Sequence, residues 1–294
     1  MNIALVWPGL ALAAAALQVV RNAAQRDLTA RLGVWGAAYV RFLYGLPFAL
    51  LWGAAIIWWR GFSGAPSLSF WAWTILGAAT QGIATALLVM AMSGRAFAVA
   101  MALSKTEVLG SAFVGMALIG DRLSKGDWIG AGIGTVGVIA MAHVSVDRAA
   151  RSAALAGIGS GLLFSFSAVS YRAGSLAWGG DPWVGAAASL AGALALQTIC
   201  GGVAFVTLAR PGLTEVVKAW RPSFIPGAAG ALASACLFSA FALGPSAAAV
   251  KTVQLVDVLF AWAVSHRLLR ETIRPVEMFG AALVLAGAGA VLLA

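Results

Sequence analysis

Apolar runs of about twenty residues recur ten times along the chain, which is the length a helix needs to cross a bilayer core of roughly 30 Å. They fall at about 3–20, 34–58, 70–92, 96–119, 127–144, 153–171, 182–208, 223–243, 246–265 and 276–293. The stretches between them are too short to hold a soluble domain. Lipid offers no hydrogen bonds to an open strand edge, and runs such as Ala11–Leu17 do not alternate as barrel strands must. The first run has no basic n-region and reads as a span rather than a secretory signal. The expected fold class is an all-α integral membrane protein with ten transmembrane helices. Composition agrees, since 10% of the residues are charged where a soluble domain carries about a quarter. Cys200 and Cys236 both lie inside apolar runs, so no disulfide framework is expected.

The formal charge of +9 would suggest nucleic acid in a soluble protein. Here the basic residues sort by connection instead. The odd connections hold twelve: Arg21, Arg26, Arg31, Arg95, Arg148, Arg151, Arg210, Lys218, Arg221, Arg267, Arg270 and Arg274. The even connections hold four: Arg60, Arg122, Lys125 and Arg172. The positive-inside rule then places odd loops in the cytoplasm and both termini outside, in a cell (inner) membrane. A nucleic-acid partner is not expected.

The sequence matches itself at an offset of 150 residues, without a gap from about Ile75 to Ala142. Glu107-Val108-Leu109 falls on Asp257-Val258-Leu259, Asp121 on Glu271, Asp127 on Glu277, Gly130-Ala131 on Gly280-Ala281, and Gly137 on Gly287. Two units follow, 1–147 and 148–294. Five helices per unit is an odd number, so the second would enter the membrane inverted, a plan common among secondary transporters. A duplication kept only for packing is the alternative.

These pieces resemble the EamA-type branch of the drug/metabolite transporter superfamily, over essentially the whole chain. The resemblance rests on the two five-helix halves, Arg41-Phe42, Lys105-Thr106-Glu107, and the close of each half. The closes read Asp121-Arg122-Leu123 … Trp128-Ile129-Gly130-Ala131 … Gly137 and Glu271 … Phe279-Gly280-Ala281 … Gly287. The chain departs from the family where Asp121 replaces the usual Glu and Arg95 replaces a Pro that Pro245 keeps in the second half. The resemblance implies a helical exporter or exchanger of small metabolites, often amino acids, with a cavity between the halves. It also implies that the fifth and tenth helices are peripheral and the other eight surround that cavity.

Ionisable residues at membrane depth are costly and mark function by default. Arg41, Lys105, Glu107, Lys251 and Asp257 qualify. Lys105 is two residues from Glu107 and Lys251 six from Asp257, so neither pair shares a helix face. Pairing between helices four and nine is easier. Three cations against two carboxylates leave one cation to meet an anionic substrate, with Lys251 or Lys105 as its counter-ion. Arg41, near its helix end, could instead snorkel to the interface. A carboxyl group away from water takes up a proton more readily, so Glu107 and Asp257 could carry a proton or balance charge. The alternative is a buried ion pair that only fixes packing. Gln81, Gln254, Tyr44 and Trp262 complete the candidate substrate site, although helix-to-helix hydrogen bonding and packing also explain such residues. Trp58, Trp59, Trp71, Trp73, Trp178, Trp183 and Trp220 read as an interfacial belt. Gly130–Gly134 and Gly157–Gly161 have the spacing of close helix contacts, and the first weakly suggests a dimer through helix five.

No P-loop, no H-E-x-x-H or cysteine cluster and no G-x-S-x-G elbow occurs. No cofactor or metal is expected. The expected function is therefore transport, not catalysis: export or exchange of a small amphiphilic metabolite, an amino acid or similar carboxylate, by alternating access. The expected partners are that small molecule and the lipid bilayer, with the chain a monomer or homodimer. A membrane enzyme acting on lipid-linked substrates would need a polar cluster at one interface, and a channel a distinctive pore loop.

Overall fold

The computed structural model describes residues 6–92, 97–141, 148–207, 213–269 and 275–294. Among them every regular element is an α-helix: α1 (Val6–Leu43), α2 (Leu46–Arg60), α3 (Leu68–Met92), α4 (Phe97–Ser104), α5 (Glu107–Ile119), α6 (Lys125–Met141), α7 (Arg148–Ala177), α8 (Pro182–Thr207), α9 (Leu213–Lys218), α10 (Trp220–Leu243), α11 (Ala247–Gln254), α12 (Val256–Leu269) and α13 (Pro275–Leu292). Six segments among the described residues are long and apolar enough to cross a membrane. Apolar side chains lie on the outside of the bundle, with Leu51, Trp58, Val206 and Leu293 all well exposed. That is the surface of an all-α protein adapted to lipid. Arg95, Arg210, Arg270, Glu271, Arg274 and His143 lie outside the described residues.

The first two apolar runs are not separated by a loop. The stretch Asn22–Leu32 is rich in Ala, Gln, Arg and Leu, all good helix formers, so α1 continues through its charges. Only Gly33, at φ 67°, bends it, in a conformation that other residues rarely adopt. Arg21 therefore does not sit in a connection: it is a buried helix residue, 8% exposed. Arg172 is corrected in the same way, because α7 extends to Ala177 and buries it. Trp178 leaves the proposed belt as well, since it is buried and donates to the Ser63 carbonyl at 2.6 Å.

Three helix pairs make the most extensive contacts: α1 with α10, α3 with α7, and α6 with α13. In the last pair a Cβ on Gly130 would stand 2.5 Å from the Gly287 carbonyl oxygen, and one on Gly137 would stand 2.6 Å from that of Gly280. The pairing runs 130 with 287 and 137 with 280, so the two helices are antiparallel. Small residues let the backbones touch, and dispersion between them replaces the hydrophobic drive that lipid cannot supply. The face holding Gly130 and Gly134 is thus buried inside the chain and is not offered to a second copy.

Two helical rods are interrupted. Between α4 and α5 the ladder tightens to three-residue bonds, with Thr106 N–H donating to Leu103 and Val108 N–H to Lys105. Between α11 and α12, Leu255 N–H reaches Thr252 and Val258 N–H reaches Leu255. Such tightened turns inside a helix mark strain or a hinge. Gly161 of α7 lies against the first break, where a Cβ would stand 2.8 Å from the Ser104 carbonyl. One turn further, the Ser165 hydroxyl donates to the Glu107 carbonyl at 3.0 Å.

Candidate functional site

Each break is followed at once by a carboxylate: Glu107 opens α5, and Asp257 lies in the first turn of α12. The lysines then pair crosswise. Lys105 Nζ donates to Asp257 Oδ2 at 2.7 Å, and Lys251 Nζ to Glu107 Oε1 at 3.4 Å. These side chains are 8–12% exposed, and at such burial a charge without its partner is strongly unfavourable. The longer pair has a second cushion, since Lys251 Nζ stands 6.0 Å from the Phe241 ring centroid.

Gln18 of α1 ties the two breaks to a third helix. Its amide donates to Asp257 Oδ2 at 3.4 Å, and its oxygen accepts from Gln254 at 3.1 Å. Asp257 Oδ1 accepts no hydrogen bond among the described residues. One turn along α1 from Gln18, Arg21 passes its stem over Gly230 of α10, where a Cβ would meet it at 3.1 Å. Among the described residues its guanidinium is bonded only to the side-chain oxygen of Asn22, and it lies within electrostatic reach of Arg41 and Asp257. Arg41 is half-buried, 5.0 Å from the centroid of the neighbouring Phe42 ring, and has no carboxylate partner among the described residues. It lies in the last turn of α1, toward Arg21 and Tyr171. Among the described residues the centre therefore holds three cations (Arg21, Lys105 and Lys251) and two carboxylates, with Arg41 within electrostatic reach of Arg21.

The remaining candidates divide. Gln81 belongs to a separate polar knot in which its oxygen accepts from Tyr171 Oη at 2.9 Å and from Gln197 at 2.7 Å. Tyr44 is elsewhere, donating to the carbonyls of Val216 and Val217 at the end of α9. Trp262, one and a half turns beyond Asp257, donates to Glu277 of α13 at 3.4 Å. So Lys105, Glu107, Lys251, Gln254 and Asp257 converge, Gln18 joins them, and Arg21 is a member that the sequence had placed in a connection. Among the described residues no three His, Cys, Asp or Glu side chains gather to hold a metal.

A third buried ion pair lies away from this centre. Arg172 donates to Asp121 Oδ1 at 3.1 Å and also caps the end of α10, bonding the carbonyls of Phe241, Gly244 and Pro245. Asp121 Oδ2 accepts from Ala247 N–H at the start of α11. One carboxylate and one guanidinium thus satisfy both sides of the turn between α10 and α11.

No family model and no curated protein matches this sequence. Twenty-four chains of solved structures match it in shape. One of them, described as "Crystal structure of protein", aligns with 98% of this chain and 96% of its own, at a TM-score of 0.71 and 16% identity. At that identity the likeness concerns the fold alone, and it extends from end to end of both chains.

Proposed function

We propose that the chain is a secondary transporter that exports or exchanges a small anionic amphiphile, an amino acid or similar carboxylate, by alternating access. The observation that carries this reading is the excess of cations at two broken helices. Two lysines spend both carboxylates, and among the described residues neither Arg21 nor Arg41 forms an ion pair. A visiting anion discharges that excess. At the looser pair, a substrate carboxylate takes Lys251 and releases Glu107. A released carboxylate at this depth lacks a counter-charge, and taking up a proton neutralises it, which couples cargo to protons.

In this reading the thirteen helices make ten spans in two inverted halves, resembling the EamA-type transporters. Supporting it, Gly130 packs on the repeat-mate of Gly137, and Gly137 on that of Gly130, across an antiparallel pair. The two helix breaks also fall 150 residues apart, immediately before Glu107 and Asp257. The basic residues then set odd connections to the cytoplasm and both termini outside, in the inner membrane.

Purified protein in liposomes, offered radiolabelled amino acids, tests the reading. Uptake should be saturable and lost in Lys251→Ala, with the variant still folded in detergent. Unchanged uptake in Lys251→Ala, or conversion of the substrate into a new compound, would overturn it.

A further inference from the structure

Arg21 carries more donors than its neighbours use. Its stem runs over Gly230 of α10, where a Cβ would stand 3.1 Å from Cδ, and the residue is buried. Nε and Nη2 both donate to Asn22 Oδ1, at 3.1 and 2.8 Å, so that oxygen occupies one edge of the guanidinium and fixes its plane. The other edge, Nη1 beside Nη2, offers two parallel N–H groups in the geometry that matches a carboxylate. Among the described residues that edge bonds nothing. Nη1 is not among the polar atoms that are both unpaired and sealed from solvent, so the edge faces accessible space. The way in lies along α1, where Ala11, Ala15, Gln18 and Asn22 follow one another on one face. Ala11 and Ala15 are fully buried, Gln18 is half-buried and Asn22 is exposed, so this inward face opens at the residue that holds the fork. A guanidinium stays charged, and burying it without an anion is unfavourable. The carboxylates of the centre are already taken: Glu107 Oε1 accepts from Lys251, and Asp257 Oδ2 from Lys105 and Gln18.

We propose that Arg21 is a second anion anchor and that the substrate is a short dicarboxylate, with one carboxylate on Lys251 and the other on the free edge of Arg21. This rests on the transport reading above and narrows its substrate class. The second negative group follows from matching charges one to one. A monocarboxylate that takes Lys251 from Glu107 still leaves Arg21 without an anion. A zwitterionic amino acid adds an ammonium to a centre already in excess of cations. A dicarboxylate, with the released Glu107 protonated, leaves no charge unmatched: Lys105 keeps Asp257, Lys251 holds one end of the substrate and Arg21 the other. Arg41, within electrostatic reach of Arg21, strengthens the field that draws a dianion. The fork also tells a carboxylate from its amide, because an amide sets N–H against N–H at one of the two positions. Asn22 is the positioning residue, since its oxygen holds the plane in which the carboxylate must lie.

Titration calorimetry on the full chain in detergent tests this. Dissociation constants are measured for succinate, glutarate and adipate, and the tightest is set against its own mono-amide and against the ω-amino acid of the same length. The dicarboxylate should bind at least about tenfold tighter than its mono-amide, the ratio a charge-assisted hydrogen bond supplies. The ω-amino acid should bind no better than the mono-amide. Arg21→Gln should make dicarboxylate and mono-amide equal, whereas Lys251→Ala should weaken both alike. Asn22→Ala, at an exposed position, should lower the ratio by freeing the fork. Equal affinities for dicarboxylate and mono-amide in the unmodified protein would overturn the proposal, and so would no binding of any of the three diacids. A ratio unchanged in Arg21→Gln would do the same; if that variant does not fold, an unchanged ratio in Asn22→Ala decides in its place. Amino-acid uptake that is saturable and lost in Lys251→Ala, found beside any of those results, would leave the transport reading standing without this anchor.

Discussion

Lys105 bonds Asp257 across two broken helices at 2.7 Å and leaves Glu107, two residues away on its own chain, to Lys251. Residues two apart on a helix are rotated by about 200° and so point to opposite sides, which turns each lysine to the carboxylate of the other break. The crossed pairs bind the two breaks to each other, and each break is therefore held by the charge of the opposite half.

The tighter pair should dominate stability and the looser one transport. Lys105→Ala leaves Asp257 buried and uncompensated, which should cost about 3–5 kcal/mol, and Lys105→Ala with Asp257→Ala should recover most of it. Lys251→Ala should cost less, since its partner lies at 3.4 Å. Thermal unfolding of the four proteins in detergent checks the order; Lys251→Ala as the more destabilised single variant would contradict it.

Proton coupling is separable from cargo binding. Glu107→Gln should lose accumulation driven by an imposed pH gradient while still exchanging labelled for unlabelled substrate. Liposomes loaded with cold substrate and assayed with and without the gradient measure both. Gradient-driven accumulation that persists in Glu107→Gln and in Asp257→Asn would remove protons from the mechanism.

The contact between α6 and α13 leaves no room for side chains. Gly137→Leu drives carbon into the Gly280 carbonyl and Val284, and overpacking of this kind costs about 1–3 kcal/mol. Gly132→Leu, where a Cβ meets nothing within 4 Å, should leave the melting temperature nearly unchanged. The pair of melts is the measurement, and equal shifts would refute the packing argument.

Arg172 works as a fork, not as a point charge. It reaches Asp121 and three backbone carbonyls at once. Arg172→Lys cannot span that geometry and should restore little of the stability lost in Arg172→Ala, about 3–5 kcal/mol. Denaturation of the two variants in detergent compares them directly; a fully stable Arg172→Lys would show that charge alone suffices.

The helical fold was readable because lipid removes every alternative to internal hydrogen bonding, and six of the described segments are long and apolar enough to span. The cross-pairing of Lys105 and Lys251 was readable from face geometry. Arg21 was not. It belongs to a charged stretch between apolar runs, which looks like a connection until the helix-forming bias of Asn22–Leu32 is weighed against its charge. Arg172 was hidden by the extra turn of α7 beyond the apolar run. Gln81 stood out as a deep amide, but its bonds to Tyr171 and Gln197 join residues 90 and 116 positions away, which no local pattern encodes.

The break at Gly33 divides α1 into two arms. Gln18 and Arg21 ride on one arm of α1, and Trp35, Tyr39, Arg41 and Phe42 on the other. A single hinge angle therefore sets the spacing between the charged centre and the aromatic side chains of the second arm, as the pivot of a caliper sets the gap between its jaws. No atom crowds a Cβ at this position, and only the backbone angle of 67° asks for glycine. Any other residue there would reset the caliper without touching either jaw.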